Sequence, residues 1–122
     1  MRRICAVIAD DSPHSLAALR MLLAVWPACV VVGEAATGQA ALTLIDEQRP
    51  DLALLDVQMP APDGLAMTRV IKARWPEVKV VLLSLDDGYR DEAEAAGADA
   101  FVGKGMAAEK LLPLLGALCN PS

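Results

Sequence analysis

Residues Ile4 to Ala9 form an unbroken apolar run that gives way abruptly to Asp10-Asp11-Ser12-Pro13. A run this short, bounded by polar turn residues, fits a strand buried on both faces of a parallel sheet. Ser12 can cap a helix and Pro13 fits its first position. The period then changes: Leu16, Leu19, Leu23 and Trp26 recur at spacings of three and four, the stripe of a helix lying on a sheet, and Pro27 stops it. Cys29 to Val32 reads as a second strand. Thr37 and Gly38 open a second helix with Ala41, Leu44 and Ile45 facing inward, and Pro50 separates it from a third strand that ends on Asp56.

Asp63 can cap a third helix with Met67, Ile71 and Trp75 on one side, ended by Pro76. Val78 to Leu83 is a fourth strand, ending at Ser84. Asp86 to Ala96 is acidic and alanine-rich, a weak helix expected to be held by Tyr89, its one large apolar side chain, and closed by Gly97 as a C-terminal cap. Ala100 to Gly103 makes a fifth strand that ends at Lys104. Ala107 to Leu118 makes a last helix, which Pro113 should kink by removing one backbone bond. Strands alternating with helices predict an α/β fold. It is a flavodoxin-like, doubly wound, five-stranded parallel sheet of order 2-1-3-4-5, with five helices and a short or irregular fourth helix.

With 122 residues the chain is expected to be a single domain, residues 1–122. It is 55% hydrophobic, yet no apolar stretch approaches the roughly 20 residues of a membrane span. The positive start Met1-Arg2-Arg3 is that of a signal peptide, but Asp10 and Asp11 cut the apolar region short, so it reads as a first strand of a cytoplasmic protein. Cys5, Cys29 and Cys119 are an odd count without metal-ligand spacing and are expected as reduced thiols. A net charge of -5 argues against direct contact with nucleic acid, which needs a basic face.

In the order 2-1-3-4-5, ligands gather at the carboxyl ends of the strands. Asp10, Asp11, Asp56, Ser84 and Lys104 all fall at those ends. Each has an ordinary explanation taken alone: an aspartate that ends a strand, a pair that only caps a helix, a solvated loop lysine. Four strand ends carrying such groups together outweigh those explanations. Three clustered carboxylates repel unless a cation joins them, and an all-oxygen set suits Mg2+. A lysine and a hydroxyl beside it supply what a phosphoryl group needs, and the Asp56 carboxylate can itself be the nucleophile that forms an acyl phosphate.

The set Asp10-Asp11, Asp56, Met59-Pro60, Asp63-Gly64, Ser84, Gly97-Ala98-Asp99 and Lys104 resembles the receiver domain of bacterial two-component response regulators, over roughly residues 3 to 118. The segments from Val32 to Gly38 and from Trp75 to Val81 are most similar to regulators of the LuxR/NarL type, whose output domain is a helix-turn-helix. The resemblance implies that Asp56 accepts a phosphoryl group from a histidine kinase. It implies Mg2+ held by Asp11 and Asp56 directly, by Asp10 through water, and by the backbone carbonyl of Gln58. Ser84 and Lys104 would bind the phosphoryl oxygens, and Ser84 with Phe101 would form the switch that alters the surface of helix 4, strand 5 and helix 5.

On that resemblance the protein is a phosphoacceptor, not an enzyme beyond self-catalysed uptake and hydrolysis. Its partners would be a histidine kinase and a second copy of itself as a homodimer, with neither nucleic acid nor membrane touched by this domain. It would control transcription through an output domain outside this chain. Without the resemblance, Phe101 reads as a strand aromatic packed on the last helix, and His14 as an exposed residue of the first. Leu85, where the family has a small residue, is expected to narrow access to the phosphoryl group. The interval from Ser84 to Gly97 is two residues shorter than the family pattern.

Rival readings fit the same residues less well. A haloacid-dehalogenase-type phosphatase would want an Asp two residues after Asp56, where Gln58 stands. In a flavodoxin-like flavin carrier, Asp10-Asp11 would repel the flavin phosphate. A stand-alone or phosphorylation-independent receiver-like module that only mediates contacts is the remaining alternative.

Overall fold

The computed structural model describes residues 3–119; the charged start at positions 1 and 2 and the tail at 120–122 lie outside the described residues. Ten elements alternate: β1 (Ile4–Ala9), α1 (Pro13–Ala24), β2 (Cys29–Ala35), α2 (Gly38–Gln48), β3 (Leu52–Asp56), α3 (Gly64–Arg74), β4 (Lys79–Ser84), α4 (Arg90–Ala96), β5 (Ala100–Gly103) and α5 (Ala107–Leu118). The sheet is parallel throughout, in the order β2-β1-β3-β4-β5.

The central strand explains the architecture. Every residue of β3 is buried, because alternate side chains enter two separate cores. Ala53 and Leu55 join α2, α3 and α4 on one face, through Ile45, Met67, Ile71 and Ala93. Leu52 and Leu54 join α1 and α5 on the other, through Leu19, Leu23, Leu111 and Leu115. A strand covered on both sides has no polar positions to alternate, hence its continuous apolar sequence. No helix among the described residues is long and apolar enough to cross a membrane.

The helix starts follow the chemistry of the chain. Ser12 Oγ accepts the Ser15 N–H, Thr37 Oγ1 the Ala40 N–H and Asp63 Oδ1 the Ala66 N–H, each satisfying a donor that the first turn leaves unpaired. On α2, Ala41 and Ile45 are buried and Leu44 is partly buried. Pro113 lies on the exposed side of α5, which continues through it from Ala107 to Leu118.

Two segments differ from expectation. β2 continues past Val32 to Ala35, because a register shift between Ala6 and Val7 lets Gly33, Glu34 and Ala35 pair with Val7, Ile8 and Ala9. As an edge strand it tolerates the exposed Glu34, whose carboxylate takes two bonds from Arg20, of 2.6 and 2.7 Å. The expected helix from Asp86 begins as a 3-10 turn, Asp87–Tyr89, and becomes α-helical only from Arg90. Nor is Tyr89 its main anchor. Ala93 is completely buried and Ala96 nearly so against the core that α3 shares, while Tyr89 is half-buried. Small side chains bury little area each but let the helix lie close to its neighbour. Gly97 closes α4 at φ 96°, a left-handed conformation that glycine adopts without a Cβ penalty.

Candidate functional site

The carboxyl ends of β1, β3, β4 and β5 meet at one edge of the sheet and bring Asp10, Asp56, Ser84 and Lys104 together. Asp10 and Ser84 are fully buried, Asp56 is 6% exposed, and Asp11 faces solvent. Carboxylate oxygens of Asp10, Asp11 and Asp56 all lie within 4.8 Å of one another. Lys104 Nζ donates to Asp10 Oδ2 at 2.6 Å and to Asp56 Oδ2 at 3.1 Å. Asp10 Oδ1 accepts the Ser12 N–H at 2.9 Å, and Asp56 Oδ1 the Gln58 N–H at 3.2 Å.

The loop after β3 folds back tightly on the site. The Gly64 N–H donates to the Val57 carbonyl at 3.0 Å, and a Cβ on Gly64 would stand 2.4 Å from the Asp56 carbonyl oxygen. Only glycine permits that approach. Beyond Asp11 lies a cleft of about 430 Å3, bordered by Gln58, Met59, Pro60, Asp63 and Tyr89.

Electrostatics at the site pull in opposite directions. Burial pushes the Asp56 carboxyl above its usual range; the Lys104 hydrogen bond pulls it back, and the neighbouring Asp10 charge raises it again, leaving a net upward shift. Burial would lower the Lys104 ammonium, but its bonds to Asp10 and Asp56 outweigh that and raise it. Two carboxylates therefore share one ammonium, with a third, that of Asp11, beside them. The donors are all hard oxygens and one of the three carboxylates opens to solvent, which fits a divalent cation such as Mg2+.

The structure thus brings together Asp10, Asp11, Asp56 and Lys104 as the sequence leads one to expect. Ser84 lies at the same edge, its Oγ accepting the Asp86 N–H at 3.0 Å. Phe101 is half-buried and packs into the core on the α4 side, with the Arg90 guanidinium 4.8 Å from its ring centroid, so the simple reading of an aromatic packed on the last helix does not hold. Leu85 is 81% exposed and stands outside the residues lining the cleft, so it does not narrow the approach to Asp56: it follows the last residue of β4, where the chain turns out to solvent. His14 is exposed on α1, as its sequence position suggests.

Two residues at the site escape a reading of strand ends. Ser15, in the first turn of α1, places its Oγ 3.4 Å from Lys104 Nζ. Its signal was its position three residues after the capping Ser12, which turns it over the end of β1. Tyr89 places its hydroxyl 3.4 Å from Gln58 Nε2 at the rim of the cleft.

The comparisons with known proteins agree with this geometry. Residues 6–115 match the model of the response regulator receiver domain. The transcriptional regulatory protein DegU of Brevibacillus brevis is 33% identical over 112 residues, covering 90% of this chain and 48% of that protein. A protein-glutamate methylesterase/protein-glutamine glutaminase of Alkalilimnicola ehrlichii is 35% identical over 108 residues, 86% of this chain and 28% of that protein. A crystal structure of a LuxR-family DNA-binding response regulator from Staphylococcus aureus superposes with a TM-score of 0.87 at 25% identity, covering 94% of this chain and 98% of that one. The chain spans about half the length of the first curated relatives it matches. These relatives differ in their named activities and share the part that matches this chain. The chain, with three carboxylates and a lysine at the carboxyl edge of a five-stranded sheet of order 2-1-3-4-5, belongs to the response regulator receiver domain family.

Proposed function

We propose that residues 1–122 act as a single receiver domain in the cytoplasm, in which Asp56 takes a phosphoryl group from a histidine kinase. The observation that carries this reading is the Lys104 ammonium, held between Asp10 and Asp56 at 2.6 and 3.1 Å beside a third carboxylate. An Asp56 carboxylate oxygen attacks phosphorus, and the bond from phosphorus to the donor atom breaks with its electron pair leaving on the donor. Mg2+, held by Asp11, Asp56 and the Gln58 carbonyl and through water by Asp10, would neutralise charge on the phosphoryl oxygens. Lys104 offers an ammonium proton to a phosphoryl oxygen, and Ser84 offers its hydroxyl. With Ser84 engaged, Phe101 repacks, and the surface of α4, β5 and α5 changes for a partner, a second copy of the chain included. Transcription would be controlled through an output domain outside this chain, by analogy with the transcriptional regulatory protein DegU.

The test is exposure to acetyl phosphate with Mg2+, followed by intact mass spectrometry. One added phosphoryl group in the wild type and none in Asp56→Asn is the expected result. Stoichiometric labelling that survives in Asp56→Asn moves the phosphoryl group to another residue and overturns the assignment, and no labelling of the wild type by any donor including a kinase leaves the alternative of a module that mediates contacts without phosphorylation.

A further inference from the structure

The positive start of the chain has no part in the site at the carboxyl edge. Its described member, Arg3, is exposed and lines a second recess at the opposite, amino end of the sheet. That recess, of about 320 Å3, lies between the last turns of α1 and the beginning of β2. The buried Leu23 and Cys29 and the partly buried Trp26 and Val31 give it apolar walls, and Arg3 and Arg20 are its charged groups. Among the described residues no carboxylate lines it, in a chain whose net charge is -5. The two cations differ. Arg20 is committed to the Glu34 carboxylate by bonds of 2.6 and 2.7 Å, whereas Arg3 forms no ion pair among the described residues. Its charge is felt inside the recess: at the Cys29 thiol the effect of Arg3, which lowers the pKa, outweighs that of Asp51, which raises it.

We propose that this recess is a binding site for a small amphipathic carboxylate, an organic acid whose apolar body packs on Trp26, Leu23 and Val31 while its carboxylate meets the free guanidinium of Arg3. The site is independent of the phosphoacceptor reading, because it lies at the other end of the sheet from Asp56.

Size, chemistry and the strand edge all favour a free small molecule over a peptide. The volume falls at the lower end of the range for small-ligand pockets, about 300–1,000 Å3. Such pockets combine apolar walls with a few polar groups that orient the ligand, and a guanidinium presents a planar fork of donors that matches a carboxylate with two parallel bonds. An extended peptide would instead have to add to β2, the edge strand of the sheet. There the register shift opposite Ala6 and Val7 leaves Val32 out of the ladder, and the Arg20–Glu34 pair stands beside the residues that follow. A bulge and paired charges are features that blunt an edge against strand addition.

The experiment titrates the full chain with phenylacetate and, in parallel, with its neutral amide and with phenethylammonium, following the indole N–H signals of the two tryptophans by NMR. Phenylacetate is expected to move the Trp26 signal and to leave that of Trp75, which is buried in the core on the other face of the sheet. The amide should bind roughly tenfold more weakly, the equivalent of one charge-assisted hydrogen bond, and the cation should not bind. Arg3→Ala should bring phenylacetate down to the affinity of the amide while leaving the amide itself unchanged, and Arg3→Lys, which keeps the charge and loses the fork, should fall between. Arg3 is exposed ahead of β1, so these variants keep the fold, and an unshifted Trp75 signal checks it. Equal affinity for acid and amide, or undiminished binding of phenylacetate by Arg3→Ala, overturns the carboxylate site. A Trp26 signal that phenylacetate does not move to saturation, or shifts confined to the carboxyl edge around Asp56, overturns it as well.

Discussion

Lys104 and Asp10, separated by 94 positions in the chain, form the shortest ion pair of the site, at 2.6 Å, with the carboxylate fully buried. The lysine leans toward Asp10 rather than Asp56, so a phosphoryl group arriving on Asp56 competes for an ammonium that is already committed.

Removing the lysine should therefore destabilise the fold. Lys104→Ala leaves Asp10 buried without its counter-charge, and breaking a buried pair from one side costs about 3–5 kcal/mol. The lysine side chain is 18% exposed, which puts the expected loss near the lower end, about 3 kcal/mol. Urea denaturation in metal-free buffer measures it, and a loss below about 1 kcal/mol would show that Asp10 finds another partner.

Mg2+ should raise the melting temperature, since a ligand that binds only the folded state stabilises it by about 2.7 kcal/mol at a hundred times its dissociation constant. Asp11→Ala should abolish that rise. In metal-free buffer the same variant should be at least as stable as wild type, because it removes one of three mutually repelling carboxylates. A melting curve indifferent to Mg2+ at neutral pH would contradict the metal site.

The pH dependence has a definite sign. Burial raises the folded-state pKa of Asp56 above its unfolded value, so the folded protein holds this proton more tightly than the unfolded chain. Its contribution to stability is full below the unfolded pKa of about 3.9 and is lost as pH rises through the folded value. Asp56→Asn, which cannot ionise, should then be more stable than wild type at neutral pH without metal, the difference shrinking as pH falls through the folded value and gone below about 4. Stability measured against pH for both proteins tests this; an Asp56→Asn variant less stable at pH 7 would reverse the sign.

Gly64→Ala should cost about 1–3 kcal/mol, the usual range for overpacking. Its Cβ would collide with the Asp56 carbonyl oxygen, a backbone atom that cannot swing aside. The expected companion effect is a weaker response of the melting temperature to Mg2+, since the shifted loop carries Gln58. Unchanged stability would mean that the loop relaxes without strain.

Cys29 should be slow to alkylate. Burial pushes its thiol up to about 11, so little thiolate exists at pH 8 and the side chain is shielded in the core. Mass spectrometry after iodoacetamide treatment of the folded protein should find Cys29 largely unmodified, and full modification under native conditions would reveal local opening of β2.

Much of this molecule is legible in its sequence, because local rules decide it. The apolar run of Leu52 to Leu55 is a strand buried on two faces, Ser12, Thr37 and Asp63 cap their helices, and Gly97 ends α4, each through chemistry confined to a few neighbouring residues. The sheet order then follows from connection rules, and with it the meeting of Asp10, Asp11, Asp56, Ser84 and Lys104 at one edge. What the chain alone does not decide is how those groups share their charges and what surrounds them. That Lys104 favours Asp10 and touches Ser15 depends on the distance between strand ends and the tilt of α1, fixed only when both cores close. That Ala93 anchors α4, while Leu85 faces water, reverses what side-chain size suggests, because burial depends on how closely a neighbour approaches and not on hydrophobicity alone. Tyr89 reads as a helix anchor in sequence and becomes part of the rim of the cleft, because the turn after β4 is short and aims it at Gln58, a partner 31 residues away.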